Sequence, residues 1–214
     1  MSSPVERRAV YDDLYGVPEN MIGEIINGEL IATPRPRRKH LRTSTILGAK
    51  VVGPFDLGEG GGPGGWWFLV EPELHFGDHV LVPDLAGWRR ERMPGPIEDY
   101  WFEVPPDWVC EILSSGTERT DRVRKMPIYA EFGIPHLWLV DPITKTLEVY
   151  KLDSGRWVLL ETYSQDQIVR GEPFHQVEFN LAHLWIWSPG QMAIHCFFDQ
   201  TYPWDFDRET LVGP

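Results

Sequence analysis

Residues 106–142 read PDWVCEILSSGTERTDRVRKMPIYAEFGIPHLWLVDP and carry the clearest structural signal in the chain. Residues 108–113 are apolar except for Glu111, a pattern typical of a short strand that is buried on both faces. Burying a carboxylate costs several kcal/mol unless a cation or hydrogen-bond donors compensate its charge. Glu111 therefore marks a position that apolar packing alone does not explain.

A helix and a second strand follow this first strand. Thr117 or Thr120 is the predicted N-cap, residues 121–132 have helical spacing, and Gly133 ends the helix. Residues 136–140 are again apolar and predict another strand. Because about twenty residues suffice for a crossover, we expect a parallel strand–helix–strand unit. Its acidic residue lies near the carboxyl end of the first strand, where open α/β sheets bind ligands.

Length and composition limit the number of domains and the class of protein. The chain has 214 residues, 24% of them charged, and a formal net charge of −12. We expect one domain over residues 1–190, and an aromatic and acidic extension at 191–214 that packs on the domain or on a partner. No window approaches ~18 uninterrupted apolar residues and no apolar leader is present, so a cytoplasmic protein without a membrane segment is expected.

Other segments predict helices and hairpins around the central unit. Residues 5–15 and 40–55 favour helices, and residues 89–106 are irregular. The predicted fold class is α/β, with a mixed central sheet, flanking helices and antiparallel hairpins at the edges. The three predicted hairpins lie at residues 21–33 around Asn27-Gly28, at residues 66–88 around 77–79, and at residues 146–163 around Ser154-Gly155.

A short basic segment stands out in this acidic chain. It lies between the first hairpin and the following helix, at residues 34–42. Such a run is usually a solvated loop, but here it is the best candidate for a patch that attracts the phosphates of DNA. The candidate DNA-binding residues are Arg35, Arg37, Arg38, Lys39, His40 and Arg42.

Three residues have the chemistry of a hydrolytic site. Asp84, in the motif VPDLAGW, is predicted on the return strand of the second hairpin, beside the strand that carries Glu111. Two such acids can hold Mg²⁺ or Mn²⁺ through oxygen atoms, and a bound metal promotes phosphodiester hydrolysis. Lys125 would orient the attacking water or stabilise negative charge in the transition state.

These motifs resemble the PD-(D/E)XK nuclease superfamily with its restriction-endonuclease-like fold. More narrowly, the chain resembles the Uma-type group of restriction endonucleases, long described as a domain of unknown function. The similarity covers roughly residues 21–152, including EIINGELIATP, VPDLAGW and LEVYKL. The resemblance implies that Asp84 and Glu111 are metal ligands, that Glu24 is an auxiliary acid, and that Lys125 is an active-site lysine moved from strand to helix.

Two residues depart from the superfamily pattern. Leu113 occupies the position of the usual lysine, two residues after the acid, so catalysis depends on Lys125. Pro127 lies within the predicted helix, where a proline removes one backbone hydrogen bond and kinks the chain, which would displace Lys125.

Other interpretations of the same residues stay open. A structural ion pair of Glu111 with Lys125 or Arg124 would satisfy a buried acid without catalysis. The protein would then be a catalytically silent relative that binds nucleic acid, or a homodimeric interaction protein with a structural acidic cluster. A homodimer is also compatible with a nuclease, since two active sites cut both strands of a duplex. Tyr129, one turn after Lys125, is interpreted as a core residue.

Overall fold

The computed structural model of the protein describes residues 7–93 and 100–185. The helices of regular α type are α1 (Arg38–Val51), α2 (Glu118–Thr120) and α3 (Met126–Glu131). The strands are β1 (Met21–Ile26), β2 (Glu29–Pro34), β3 (Trp66–Val70), β4 (Leu74–Phe76), β5 (His79–Leu81), β6 (Leu85–Arg89), β7 (Trp108–Ile112), β8 (His136–Asp141), β9 (Thr146–Asp153), β10 (Arg156–Ser164), β11 (Ile168–Val169) and β12 (Phe179–Asn180).

A six-stranded mixed sheet forms the centre of the fold, in the order β10-β9-β8-β7-β6-β3. Strands β7 and β8 are parallel, and Glu111 lies opposite Leu139 in their register. Each of the other neighbouring pairs in this sheet is antiparallel. The predicted parallel unit is therefore confirmed, as is the fold class.

A smaller sheet, in the order β2-β1-β5-β4, accompanies the central one. Strands β1 and β2 form the predicted first hairpin, in which Asn27 and Gly28 both have positive φ. The third predicted hairpin is confirmed by the pairing of β9 with β10. The predicted helix at residues 40–55 corresponds to α1 and the π-helical turn Val52–Asp56. Of the predicted helix at residues 5–15, the described part, from residue 7 on, forms a helix only at the short 3₁₀ helix Tyr11–Gly16.

The prediction of a single hairpin over residues 66–88 is wrong. The tight turn joins β4 and β5 in the small sheet, whereas β3 pairs with β6 in the central sheet. Pro72 lies between β3 and β4, and Pro83 lies between β5 and β6. A proline has no N–H to continue a ladder of strand hydrogen bonds. At each of these prolines the backbone passes from one sheet to the other. Asp84 therefore precedes β6 and does not lie within a strand.

Hydrophobic clusters cover both faces of the central sheet. On β7, Trp108, Cys110 and Ile112 face a cluster that includes residues of α1. Val109 and Leu113 face the opposite cluster, which includes residues of α3 and of the small sheet. Because strand side chains alternate, Glu111 points to this second face, beneath the helical segment and the small sheet.

Some expectations fall outside these described regions. The predicted extension at 191–214 lies outside the described residues, as do residues 94–99 of the irregular loop. Within residues 7–93 and 100–185, no helix is long and apolar enough to cross a membrane.

The packing of Gly87 in β6 generates a test of the central sheet. A Cβ atom there would lie 2.8 Å from Cε1 of Phe68 and 3.4 Å from Cε3 of Trp108. We expect Gly87→Ala to lower the free energy of unfolding by about 1–3 kcal/mol through overpacking. Gly16→Ala is the control, since its Cβ would meet nothing within 4 Å. Urea unfolding of both variants measures this loss, and equal changes in unfolding free energy would contradict the close packing around Gly87.

Candidate active site

Glu111 lies one residue before the end of β7 and is 2% exposed. Its side chain points toward the helical segment that connects β7 to β8. This segment consists of α2, the π-helical turn Asp121–Lys125 and α3. Pro127 occupies the first turn of α3, where its missing N–H is tolerated. The proline thus leaves Lys125 in contact with Glu111.

Lys125 is the centre of a buried acidic cluster. Its Nζ atom lies 2.7 Å from Oε1 of Glu111 and 2.9 Å from Oε1 of Glu24. It also donates to the carbonyl of Val82 at 3.2 Å and lies 3.9 Å from Oδ1 of Asp121. The lysine side chain is 3% exposed. One ammonium therefore serves three buried carboxylates, contributed by β1, β7 and the helical segment.

Burial and mutual repulsion alter the protonation of this cluster. Burial raises the pKa of Glu111 well above its usual value, although Lys125 opposes the shift. Burial also raises the pKa of Asp121 to about 6, again opposed by Lys125. For Lys125 itself, burial lowers the pKa, but Glu111 and Glu24 outweigh burial and hold it well above its usual value. The cluster thus carries more acid than its own cation neutralises.

Asp84 connects the start of β6 to the end of β7. Its Oδ2 atom accepts the backbone N–H of Ile112 at 2.6 Å, directly after Glu111 in the chain. Its Oδ1 atom lies 3.0 Å from Nε2 of His40, the third residue of α1. Burial lowers the pKa of His40, but its hydrogen bond to Asp84 and the negative charges of Asp84, Asp121 and Glu71 together outweigh burial and raise it. The structure thus brings Asp84 beside the strand end that carries Glu111.

Most of the basic segment lies exposed around the start of α1. Arg37 is the N-cap residue of α1, and the side chain of Arg35 lies 3.6 Å from Glu71 and donates to the carbonyl of Glu19. His40 differs from the others, since its side chain is only 13% exposed and contacts Asp84. The exposed residues of the segment are Arg35, Arg37, Arg38, Lys39 and Arg42.

Two residues of the cluster were not identified as site residues from the sequence. Tyr129 was expected in the core and is buried there, yet its hydroxyl also donates to Oε1 of Glu111 at 2.5 Å. Asp121, four residues before Lys125 on the same helical segment, is buried with the other acids. The sequence signal for both residues is the spacing of Asp121, Lys125 and Tyr129 at every fourth residue, which places the three on one face of a helix.

The donor chemistry of the cluster fits a hard divalent cation. Asp84 and Glu111 offer carboxylate oxygens, which Mg²⁺ and Mn²⁺ prefer. Within residues 7–93 and 100–185, no three His, Cys, Asp or Glu side chains are grouped closely enough to hold a metal ion. A cation here would therefore take its remaining ligands from main-chain oxygens, water or substrate.

The mixed sheet and its helical crossover are those of a nuclease-type fold. A solved structure described as a putative nuclease belonging to DUF820 from Anabaena variabilis matches with a TM-score of 0.64. The two share 24% sequence identity, over 82% of this chain and 97% of that chain. The chain belongs to the Uma2 family, described as "Putative restriction endonuclease", whose sequence pattern matches residues 9–184. No curated protein matches the chain.

Replacing Lys125 tests whether the cluster depends on its single ammonium. We expect Lys125→Met to lower the free energy of unfolding by about 3–5 kcal/mol, because buried carboxylates lose their cation. The adjacent Arg124 pairs with Glu29, whose side chain is 67% exposed. Arg124→Met should therefore cost at most about 1 kcal/mol. Urea unfolding at neutral pH compares the two variants, and similar losses of unfolding free energy would argue against the buried network.

Asp121 provides a test of pH dependence. Its raised pKa, about 6, means that the folded protein binds a proton more tightly than the unfolded chain. This group therefore destabilises the fold increasingly as the pH rises from about 4 to about 6. We expect the free energy of unfolding of Asp121→Asn to increase relative to that of wild type as the pH rises from about 4 to about 6, by at most about 3 kcal/mol.

Thermal unfolding across pH 4–7 measures this difference, because the amide stays neutral throughout. Asp166→Asn, at an exposed turn, is the matched control for the loss of one carboxylate. A difference for Asp121→Asn that is independent of pH would contradict the raised pKa.

Proposed function

We propose that the protein is a metal-dependent endonuclease that hydrolyses DNA phosphodiester bonds. The observation that carries the proposal is the excess of buried acid near the end of β7, where one lysine faces three carboxylates. A purely structural ion pair needs only one carboxylate for each cation, and additional buried acid destabilises a fold. Membership of the Uma2 family supports the same conclusion.

Asp84 and Glu111 are the proposed metal ligands, with Mg²⁺ or Mn²⁺ as the ion. Both are acidic, and they lie at adjacent strand termini of the central sheet. When bound, such an ion polarises the phosphodiester and lowers the pKa of a coordinated water. The backbone N–H of Ile112 and the ring of His40 hold the carboxylate of Asp84 in place.

Lys125 and Glu24 have supporting roles in the proposed reaction. The ammonium of Lys125 supplies positive charge in a buried site, where charge stabilises a developing oxyanion strongly. Glu24 accepts the N–H of Val82 at 2.8 Å and pairs with Lys125, so it fixes the lysine from the side of the small sheet. Glu24 is accordingly proposed as an auxiliary acid.

DNA is the proposed substrate, and the basic segment at the start of α1 is its proposed contact. The net charge of −12 makes the overall surface repel a polyanion, so binding requires a local positive patch. His40 connects this segment to Asp84 through their contact at 3.0 Å. The proposed DNA-binding residues are Arg35, Arg37, Arg38, Lys39, His40 and Arg42. We also propose a cytoplasmic homodimer, which would cut both strands of a duplex.

One observation favours a second candidate function. The contact between Lys125 and Glu111 at 2.7 Å is the ion pair that a structural cluster would contain. A catalytically silent DNA-binding protein, or a homodimeric interaction protein, would retain this pair without a metal ion. The two classes differ in whether the acids bind a divalent cation.

Metal binding and plasmid cleavage, measured together, test the proposal. We expect the wild-type protein to bind Mg²⁺ or Mn²⁺ in calorimetry at low salt and to nick or linearise supercoiled plasmid with either ion. Asp84→Asn and Glu111→Gln should lose binding and reduce cleavage by more than about a hundredfold, because the metal contributes several kcal/mol to the transition state.

Glu131→Gln is the control, since Glu131 is an exposed acid at the end of α3. It should retain both activities. DNA binding that needs no metal, without cleavage, would identify the silent DNA-binding protein. A dimer that persists while Asp84→Asn raises thermal stability and changes no binding would identify the interaction protein.

A further inference from the structure

Two donors converge on a single oxygen of Glu111. The hydroxyl of Tyr129 donates to Oε1 at 2.5 Å, and Nζ of Lys125 lies 2.7 Å from the same atom. In the part of the chain that the structure describes, no hydrogen bond reaches Oε2. The two oxygens of one carboxylate therefore have different surroundings.

The free oxygen also differs from the enclosed polar atoms of the protein. Among residues 7–93 and 100–185, the fully enclosed side-chain atoms without a hydrogen bond are His40 Nδ1, Trp108 Nε1 and His136 Nδ1. Oε2 of Glu111 is not one of them, although it also has no hydrogen-bond donor. Oε1 is held by Tyr129 and Lys125, whereas Oε2 has no such donor, and the glutamate as a whole is 2% exposed.

Tyr129 is rigidly placed for this contact. It is 0% exposed and lies on α3, one turn after Lys125, where its ring packs in the hydrophobic cluster that includes Val109 and Leu137. The packing of the ring thus holds the hydroxyl against Oε1 of Glu111.

We propose that Tyr129 is a positioning residue of the candidate site, whose hydroxyl helps Lys125 to occupy Oε1 of Glu111 and so presents Oε2 to a divalent cation. This inference rests on the proposed function. The terminal torsion of a glutamate is broad, so a lysine alone selects neither oxygen. A second donor fixed by a buried ring removes that freedom. Hydrogen bonds to metal-ligating carboxylates typically change metal affinity tenfold to a hundredfold.

Calorimetric titration with Mn²⁺ tests the inference on the intact protein. Tyr129→Phe removes the hydroxyl and keeps the ring, and we expect its dissociation constant for Mn²⁺ to rise about tenfold to a hundredfold. Tyr150→Phe is the matched control. Its hydroxyl donates to Oε2 of Glu148 at 2.7 Å, the same kind of bond outside the cluster, so its Mn²⁺ affinity should equal that of wild type.

A second control separates positioning from general loosening of the fold. Ile128 neighbours Tyr129 on α3 and is 3% exposed. Ile128→Val should destabilise the same helix, as measured by urea unfolding, but leave Mn²⁺ binding unchanged. Loss of affinity in both Tyr129→Phe and Ile128→Val would assign Tyr129 a merely structural role and overturn the inference.

The outcomes also distinguish this inference from the proposed function. If wild type binds Mn²⁺ and Tyr129→Phe binds it equally well, the positioning role is wrong while the metal site stands. If wild type binds no Mn²⁺ with or without duplex DNA, the proposed function fails and the inference fails with it.

Discussion

The ammonium of Lys125 is the interaction on which the arrangement of this protein depends. Taking an ion out of water costs several kcal/mol, so a lysine that is 3% exposed must be compensated by nearby charge. The compensating atoms come from four separate places: β1, the connection between β5 and β6, β7 and the helical segment. Displacing β1 or β7 would separate a buried carboxylate from its cation. The cluster therefore joins the two sheets and the crossover helix at one point.

The division of residues 66–88 between two sheets serves this cluster. If one long hairpin had formed, the backbone around Val82 would have been paired within a single ladder. With Pro72 and Pro83 at the crossing point, the carbonyl of Val82 is available to Lys125 and its N–H to Glu24. The same crossing places Asp84 just before β6, beside the last residues of β7. A local interruption of strand pairing thus builds a polar site between two apolar clusters.

The excess of acid at this point connects structure with function. Natural folds rarely bury more carboxylates than they can neutralise, and such residues with perturbed pKa values concentrate at functional sites. In this protein the excess lies near the carboxyl end of a central strand, with exposed basic residues at the start of α1 close by. A cation would relieve the repulsion among the acids, and the basic segment would attract a polyanionic substrate. The metal ion and the DNA contact of the nuclease proposed above would thus both follow from one electrostatic pattern.

Local sequence patterns were sufficient to predict much of the architecture. Several elements form through interactions among near neighbours, which the order of residues encodes directly. They are the strand around Glu111, the helix before Gly133, and the turns at Asn27-Gly28 and Ser154-Gly155. The split hairpin, the second role of Tyr129 and the burial of Asp121 depended on contacts between residues far apart in the chain. Lys125 illustrates the difference: its helical position followed from sequence spacing, but Glu24 lies 101 positions away. Only the packing of two sheets against one helix decided that they meet, because no local periodicity specifies which distant charges share a buried space.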